Sequence, residues 1–281
     1  MASVDADVLM WSELSSRGID SVRDLTDEES FDLVSRYAVW IPVTTYVKTP
    51  WLAPYAVRRS RNRVDHRAPG EKRDLWGFPD ENGYFTDDNS LIKQVHKGKT
   101  VEPSGQPYQS LSLSSGMVCC HVWAGTTQSP LLFSFVPNLV WLPKSLAPLS
   151  DNHVEGDAHP VHDYLKGVSL QRYAGCKVEN GLARAVKSWA LLDCEDVESI
   201  TEPSIELSHP EKLVTLARDR VTRMTNFLEP LVEGGERPKR FSRRYHAGVG
   251  TGIDHTCPSV DSIVPIESLR ALLADMRSCQ Q

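Results

Sequence analysis

An α+β fold is what this chain predicts, and three patterns predict it. Apolar residues recur at helical spacing near both ends. Short apolar segments of strand length lie close together in the middle. The connections between them are rich in Gly, Pro and Arg. The expected arrangement is a central strand–loop–strand–helix unit flanked by N- and C-terminal helices and Arg-rich loops. On this reading residues 1–110 form a helical and loop region, 111–200 the central unit, and 201–281 the C-terminal helices with a basic loop. No linker is marked enough to separate the three, so one domain is the other option. At 281 residues, 40% of them hydrophobic, the chain can bury a sizeable core.

Each element has its own signal. Leu9, Leu14, Ile19, Val22, Leu25, Phe31, Leu33, Val34 and Tyr37 recur at spacings near three and four, which predicts helix over much of 6–40. Thr26 with Glu29 three residues on is a capping-box start. Residues 38–55 are apolar but interrupted by Pro42, Pro50 and Pro54, which suits short strands or extended loops. Residues 58–73 hold seven Lys or Arg against two acidic groups, without apolar period, and read as an exposed loop. Asn82-Gly83 marks a turn, Tyr84-Phe85 leads toward a strand, a short helix is expected at 91–95, and 97–110 reads as loop. Strands are predicted at Met117–Trp123 and near Leu131–Val136, with a turn at Pro137–Asn138 and Pro143 in the first turn of a helix. Residues 160–176 and 180–192 are moderately helical. His209–Leu231 is the clearest helix, with Leu213, Leu216, Ala217, Val221, Met224, Phe227 and Leu228 on one face and Arg218, Arg220 and Arg223 off it. Residues 233–260 return to Gly-rich basic loop, and Ile266–Met276 is a last helix.

The bulk numbers exclude some classes. A net charge of −6 argues against wholesale coating of nucleic acid, though not against local basic patches. No apolar run reaches the roughly 18 residues a membrane span needs, so no membrane partner is expected. The first residues lack the basic-then-apolar pattern of a secretory signal. The six cysteines have no CxxC spacing, and the adjacent Cys119 and Cys120 are poorly placed to bridge each other. A reducing cytoplasm is the expected setting.

The segment Gly116–His153 carries the chemistry. It places His121 at the end of an apolar strand, followed by Val122-Trp123. Asn138-Leu139-Val140-Trp141-Leu142-Pro143 begins seventeen residues after His121, and Leu146-Ala147-Pro148-Leu149-Ser150-Asp151 comes next. Over these roughly 40 residues the chain resembles the HNH, or ββα-metal, endonuclease family. The resemblance implies a ββα-metal-like unit at the centre of the α+β fold and a metal-dependent phosphodiester hydrolase. It makes His121 the general base, Asn138 the residue that orients it across the loop, and Asp151 the counterpart of the family's terminal Asp. A ring titrating near neutrality suits that base, and an amide with both donors and an acceptor suits that orienter. Two positions depart from the pattern. Ala147 stands where the metal-binding His belongs, and Cys120 where many members carry an acidic or His ligand; its soft sulfur suits Mg²⁺ poorly. Asp151 and His153 are therefore the expected ligands of a divalent metal, Mg²⁺ or Mn²⁺, with Asp157, His159 and His162 crowded just behind them. A defence, restriction or mobile-element role comes with the resemblance alone.

Two Arg-rich stretches point to a phosphate-rich partner. Arg58, Arg59, Arg61 and Arg63 form one. Arg237, Lys239, Arg240, Arg243 and Arg244 form the other, interleaved with Phe241 and Tyr245 as backbone contact plus base stacking would use. Nucleic acid is the expected partner, DNA ahead of RNA, and a homodimer would suit a palindromic duplex site. Other readings stand beside these. His121 also fits a hydrogen-bonded core histidine, Asn138 a turn former, and the Arg stretches solvated loops. A protein that keeps the fold, lacks the metal ligand at Ala147 and only binds nucleic acid is the alternative function, and an interaction protein without nucleic acid is a third. Gly248–Gly252 lacks the ending of a P-loop, and His246, Asp254, His255 and Cys257 match no standard metal spacing. A Cys119–His121 nucleophile pair on one strand face would be about 6–7 Å apart, too far for direct proton transfer.

Overall fold

Helix α1 (Ala6–Ser16) starts where the Asp5 carboxylate accepts from the backbone N–H groups of Asp7 and Val8, satisfying donors that the first helical turn leaves open. It is the first helix of a computed structural model describing residues 2–53, 56–58, 85–87, 111–123, 126–129, 131–150, 160–178, 205–206, 210–235, 266–278 and 280. Helix α2 (Asp27–Tyr37) opens with the expected capping box: Thr26 accepts from Glu29 N–H, and the Glu29 carboxylate accepts from Thr26 N–H. Then come α3 (Val43–Lys48), α4 (Pro160–Tyr173), α5 (Pro210–Glu233) and α6 (Ile266–Ser278). The strands among the described residues form three pairs. β1 (Ala2–Asp5) runs parallel to β4 (Leu111–Ser115), and β2 (Ala56–Arg58) parallel to β3 (Phe85–Asp87). β5 (Met117–His121) and β6 (Leu139–Pro143) are antiparallel, in register from Met117 opposite Pro143 to His121 opposite Leu139. The fold is a mixture of helix and sheet, as the α+β reading requires.

β6 is the spine of the core. All five of its residues are buried. One edge pairs with β5, and on the other Trp141 exchanges backbone hydrogen bonds of 2.9 and 3.0 Å with Val39. A strand covered on both faces has no room for polar alternation, which is why Leu139–Leu142 reads as an unbroken apolar run. Around it one hydrophobic core joins Met10 and Leu14 of α1, Leu33, Val34 and Tyr37 of α2, Leu165, Val168 and Tyr173 of α4, and apolar rows of α5 and α6. Gly116, between β4 and β5, has φ of 84°, and a Cβ there would lie 2.0 Å from Asp5 Oδ1, so this turn requires glycine.

Several expectations need correction. Residues 43–48, expected as extended, form α3, with Pro42 at its N-cap. Burial of Tyr46 against Phe135 and Tyr173, at ring distances of 5.8 and 5.2 Å, overrides the β preference of Val-Thr-Thr-Tyr-Val. The second central strand begins at Leu139 rather than near 131, because residues 131–134 turn and Val136–Asn138 form a 3₁₀ turn around Pro137. Pro143 ends β6 instead of opening a helix, and the chain continues into one short 3₁₀ turn, Ala147–Ser150. On α5 the predicted apolar face is buried apart from the half-buried Leu216, but Arg220, expected off that face, is 5% exposed and donates through Nη1 to the Leu52 carbonyl at 3.0 Å. The readings placed on 59–73, 80–84, 91–95, 97–110, 180–192 and 236–260 lie outside the described residues. No helix among the described residues is long and apolar enough to cross a membrane.

Candidate functional site

The β5–β6 ribbon ends at the His121–Leu139 pair, and the described residues that follow it, 122–123, 126–129 and 131–138, form a loop of short turns. Backbone bonds fold that loop tightly. Val122 N–H donates to the Asn138 carbonyl at 3.0 Å, Ser129 N–H to Thr126 at 3.0 Å, and Phe133 N–H to Ser129 at 2.9 Å. Asn138 is fully buried and its carboxamide is used on both sides. Oδ1 accepts from Trp123 N–H at 2.9 Å, while Nδ2 donates to Thr126 Oγ1 and to the Leu132 carbonyl, each at 2.8 Å. The side chain thus replaces a missing strand partner across the loop and satisfies backbone groups that burial would otherwise leave at a cost.

His121, partly buried, points into the same loop. Its Nε2 lies 2.9 Å from the Phe133 carbonyl, and the imidazole stacks on the Phe133 ring at 5.5 Å and 21°. A carbonyl oxygen only accepts, so Nε2 carries the proton and a neutral ring keeps its lone pair on Nδ1. A ring nitrogen bonded to a carbonyl holds the neutral imidazole in one tautomer. Asn138 acts one peptide away: its Nδ2 holds the Leu132 carbonyl, and the next carbonyl, that of Phe133, holds His121.

Helix α4 packs behind the loop. Ser169 Oγ donates to the Pro137 carbonyl at 2.5 Å. His162, 2% exposed, faces the backbone of Val122, the residue after His121. Burial holds the His162 imidazole below its usual pKa; the Lys166 charge acts the same way, while Asp163 and the Val122 backbone oppose it. Strand, loop, strand and helix therefore succeed one another, with the helix starting at Pro160, further along than the residues that the resemblance matches to it. Ala147 sits in the 3₁₀ turn and offers no donor. Asp151 and His153 lie outside the described residues, as do Arg59, Arg61, Arg63, Arg237, Lys239, Arg240, Arg243 and Arg244; Arg58 is the last residue of β2. Among the described residues no three His, Cys, Asp or Glu side chains gather as a metal site. The Cys119 and Cys120 thiols each lie 3.9 Å from a carbonyl of their own strand.

So the structure brings His121 and Asn138 to one loop. It adds three residues to which sequence reading gives no role there: Thr126, Phe133 and His162. Thr126 and Phe133 carry no sequence signal, since one acts through a hydroxyl and the other through a carbonyl and a ring that meet their partners only on folding. His162 is visible in sequence only as one of several histidines after Asp151. No protein-family model, curated protein or solved structure matches the chain.

Proposed function

We propose that this chain is a metal-dependent endonuclease that hydrolyses phosphodiester bonds in nucleic acid, built on a ββα-metal-like unit of β5, β6 and helix α4. The observation that carries the reading is the His121 Nε2 bond to the Phe133 carbonyl, which makes Nδ1 the basic nitrogen. In this role His121 takes a proton from a water at Nδ1, and that water attacks phosphorus. The ring is held against rotation by the carbonyl on one side and the Phe133 ring on its face. Asn138 fixes the loop that presents the carbonyl. Asp151 would supply an oxygen, the donor that suits Mg²⁺ or Mn²⁺, and His153 an imidazole nitrogen beside it, whereas the soft Cys120 sulfur suits Mg²⁺ poorly. Bound there, the cation would stabilise charge on the phosphoryl and leaving oxygens. The connection bearing this pair leads into α4, whose His162 lies against Val122 beside the base. The two Arg-rich stretches would grip backbone phosphates.

Ala147 favours one second reading, a nucleic-acid-binding protein without catalysis. Purified protein incubated with plasmid, single-stranded DNA and RNA in Mg²⁺, Mn²⁺ or EDTA separates the two. Cleavage that needs a divalent ion supports the enzyme. Binding that weakens steeply with salt, with no cleavage under either ion, supports the binder.

A further inference from the structure

Thr126 is 7% exposed, and its hydroxyl is spent in both directions. It accepts from Asn138 Nδ2 at 2.8 Å and donates to the Trp123 carbonyl at 2.6 Å. Trp123 N–H in turn donates to Asn138 Oδ1 at 2.9 Å. The three residues close a ring of hydrogen bonds with a single polarity. A carbonyl can only accept and an amide NH₂ only donate, so the ring dictates which way the Asn138 carboxamide faces. A flipped amide would set its oxygen against the Leu132 carbonyl and its NH₂ against Trp123 N–H. Trp123 N–H and the Leu132 carbonyl set the direction of the amide, and the Thr126 hydroxyl, donating to the Trp123 carbonyl and accepting from Nδ2, braces it in that direction.

The same residue grips the loop through its backbone. Its carbonyl accepts from Ser129 N–H at 3.0 Å, and the Ser129 carbonyl accepts from Leu132 and Phe133 N–H at 3.2 and 2.9 Å. Two routes, one through Asn138 and one through Ser129, run from Thr126 to the Leu132–Phe133 peptide, one peptide before the carbonyl that anchors His121 Nε2. We propose that Thr126 is a positioning residue for His121: its hydroxyl braces the Asn138 amide and, through the Leu132–Phe133 peptide next to the anchoring carbonyl, helps hold the imidazole as the Nε2–H tautomer. The catalytic consequence rests on the nuclease reading above; the state of the ring does not.

The test is long-range ¹H–¹⁵N NMR of the imidazole rings in the wild type, Thr126→Val and Thr126→Ser, with the His121 signals assigned by their loss in His121→Gln. The wild type should show His121 as one neutral Nε2–H tautomer. Valine keeps the shape and removes the hydroxyl, and should move the His121 nitrogen shifts toward the average of two tautomers. Serine keeps the hydroxyl and should restore the single tautomer. A wild-type ring in the Nδ1–H or a mixed form overturns the proposal, as does a folded Thr126→Val with wild-type His121 shifts. Should the valine variant not fold, Thr126→Ser still decides: loss of the single tautomer with the hydroxyl retained overturns it. If wild type cleaves, Thr126→Val should lose about tenfold to a hundredfold in rate, the scale of a misplaced reacting group, and serine should recover it. The locked tautomer without any cleavage would support the positioning role while sinking the nuclease reading.

Discussion

Replacing Asn138 by Ala should unfold the loop before it touches any chemistry, and the structure sets the size of the effect. The wild-type carboxamide, fully buried, makes three hydrogen bonds. Losing Oδ1 removes the bond to Trp123 N–H in a buried setting, worth about 1–3 kcal/mol. The Leu132 carbonyl keeps Phe135 N–H at 3.2 Å, so its loss is smaller, about 0.5–1.5 kcal/mol. The void left by the amide adds up to about 1 kcal/mol, for a total of about 1.5–5.5 kcal/mol. Asn138→Asp has nearly the same shape but places an oxygen toward the Leu132 carbonyl oxygen and buries a charge. At pH 7 it should be destabilised at least as much as the alanine variant, and it should recover toward acid pH, where a protonated carboxyl regains a donor. Urea unfolding followed by tryptophan fluorescence measures both. An alanine variant within about 1 kcal/mol of wild type, or an aspartate variant as stable as wild type at pH 7, would refute the idea that the amide organises the loop.

The same contacts set three further outcomes. His162 has a depressed folded pKa, so its stabilising effect is complete above the unfolded value near 6.5 and is lost as pH falls from there through the folded pKa; wild type should weaken by at most about 1.4 kcal/mol per pH unit over that window, and His162→Gln should flatten the profile. Thr26→Ala should cost about 1 kcal/mol by removing the α2 capping box, and Thr26→Ser should recover most of it in the same unfolding assay. Arg36 reaches Glu13 on α1 with Nη1 and Nη2, at 2.8 and 2.7 Å, and Asp32 with Nε and the same Nη2. Because the Arg36 and Glu13 side chains are 37% and 27% exposed, Arg36→Lys should lose only about 0.5–1 kcal/mol, and less in 1 M salt, as a double-mutant cycle with Glu13→Gln can measure.

What the sequence discloses divides by the range of the interaction. The Thr26–Glu29 box is complete within four residues and is legible. The apolar row of α5 is legible because its period is internal to the helix. The turn at Pro137–Asn138 is legible too, but the turn at 131–134 that stands where a strand is expected is not, since the apolar residues on either side of Pro137 have no period to tell them apart. Nor is α3, whose β-branched residues take a helical form because Tyr46 is packed between Phe135 and Tyr173 from distant segments. Arg220 reads as a surface charge until Leu52 brings it a buried carbonyl. At the site, the identities of His121 and Asn138 are legible, while the groups that orient them are a hydroxyl and two carbonyls with no pattern of their own.

His121 as a base held by the Phe133 carbonyl is the proposal to test first, through the cleavage rate of His121→Ala beside wild type, both shown folded and both supplied with Mn²⁺ or Mg²⁺. Wild type should cleave only with the divalent ion, and the variant should be slower by about a hundredfold to ten-thousandfold, the usual contribution of a positioned base. A folded His121→Ala that cuts at the wild-type rate would contradict it.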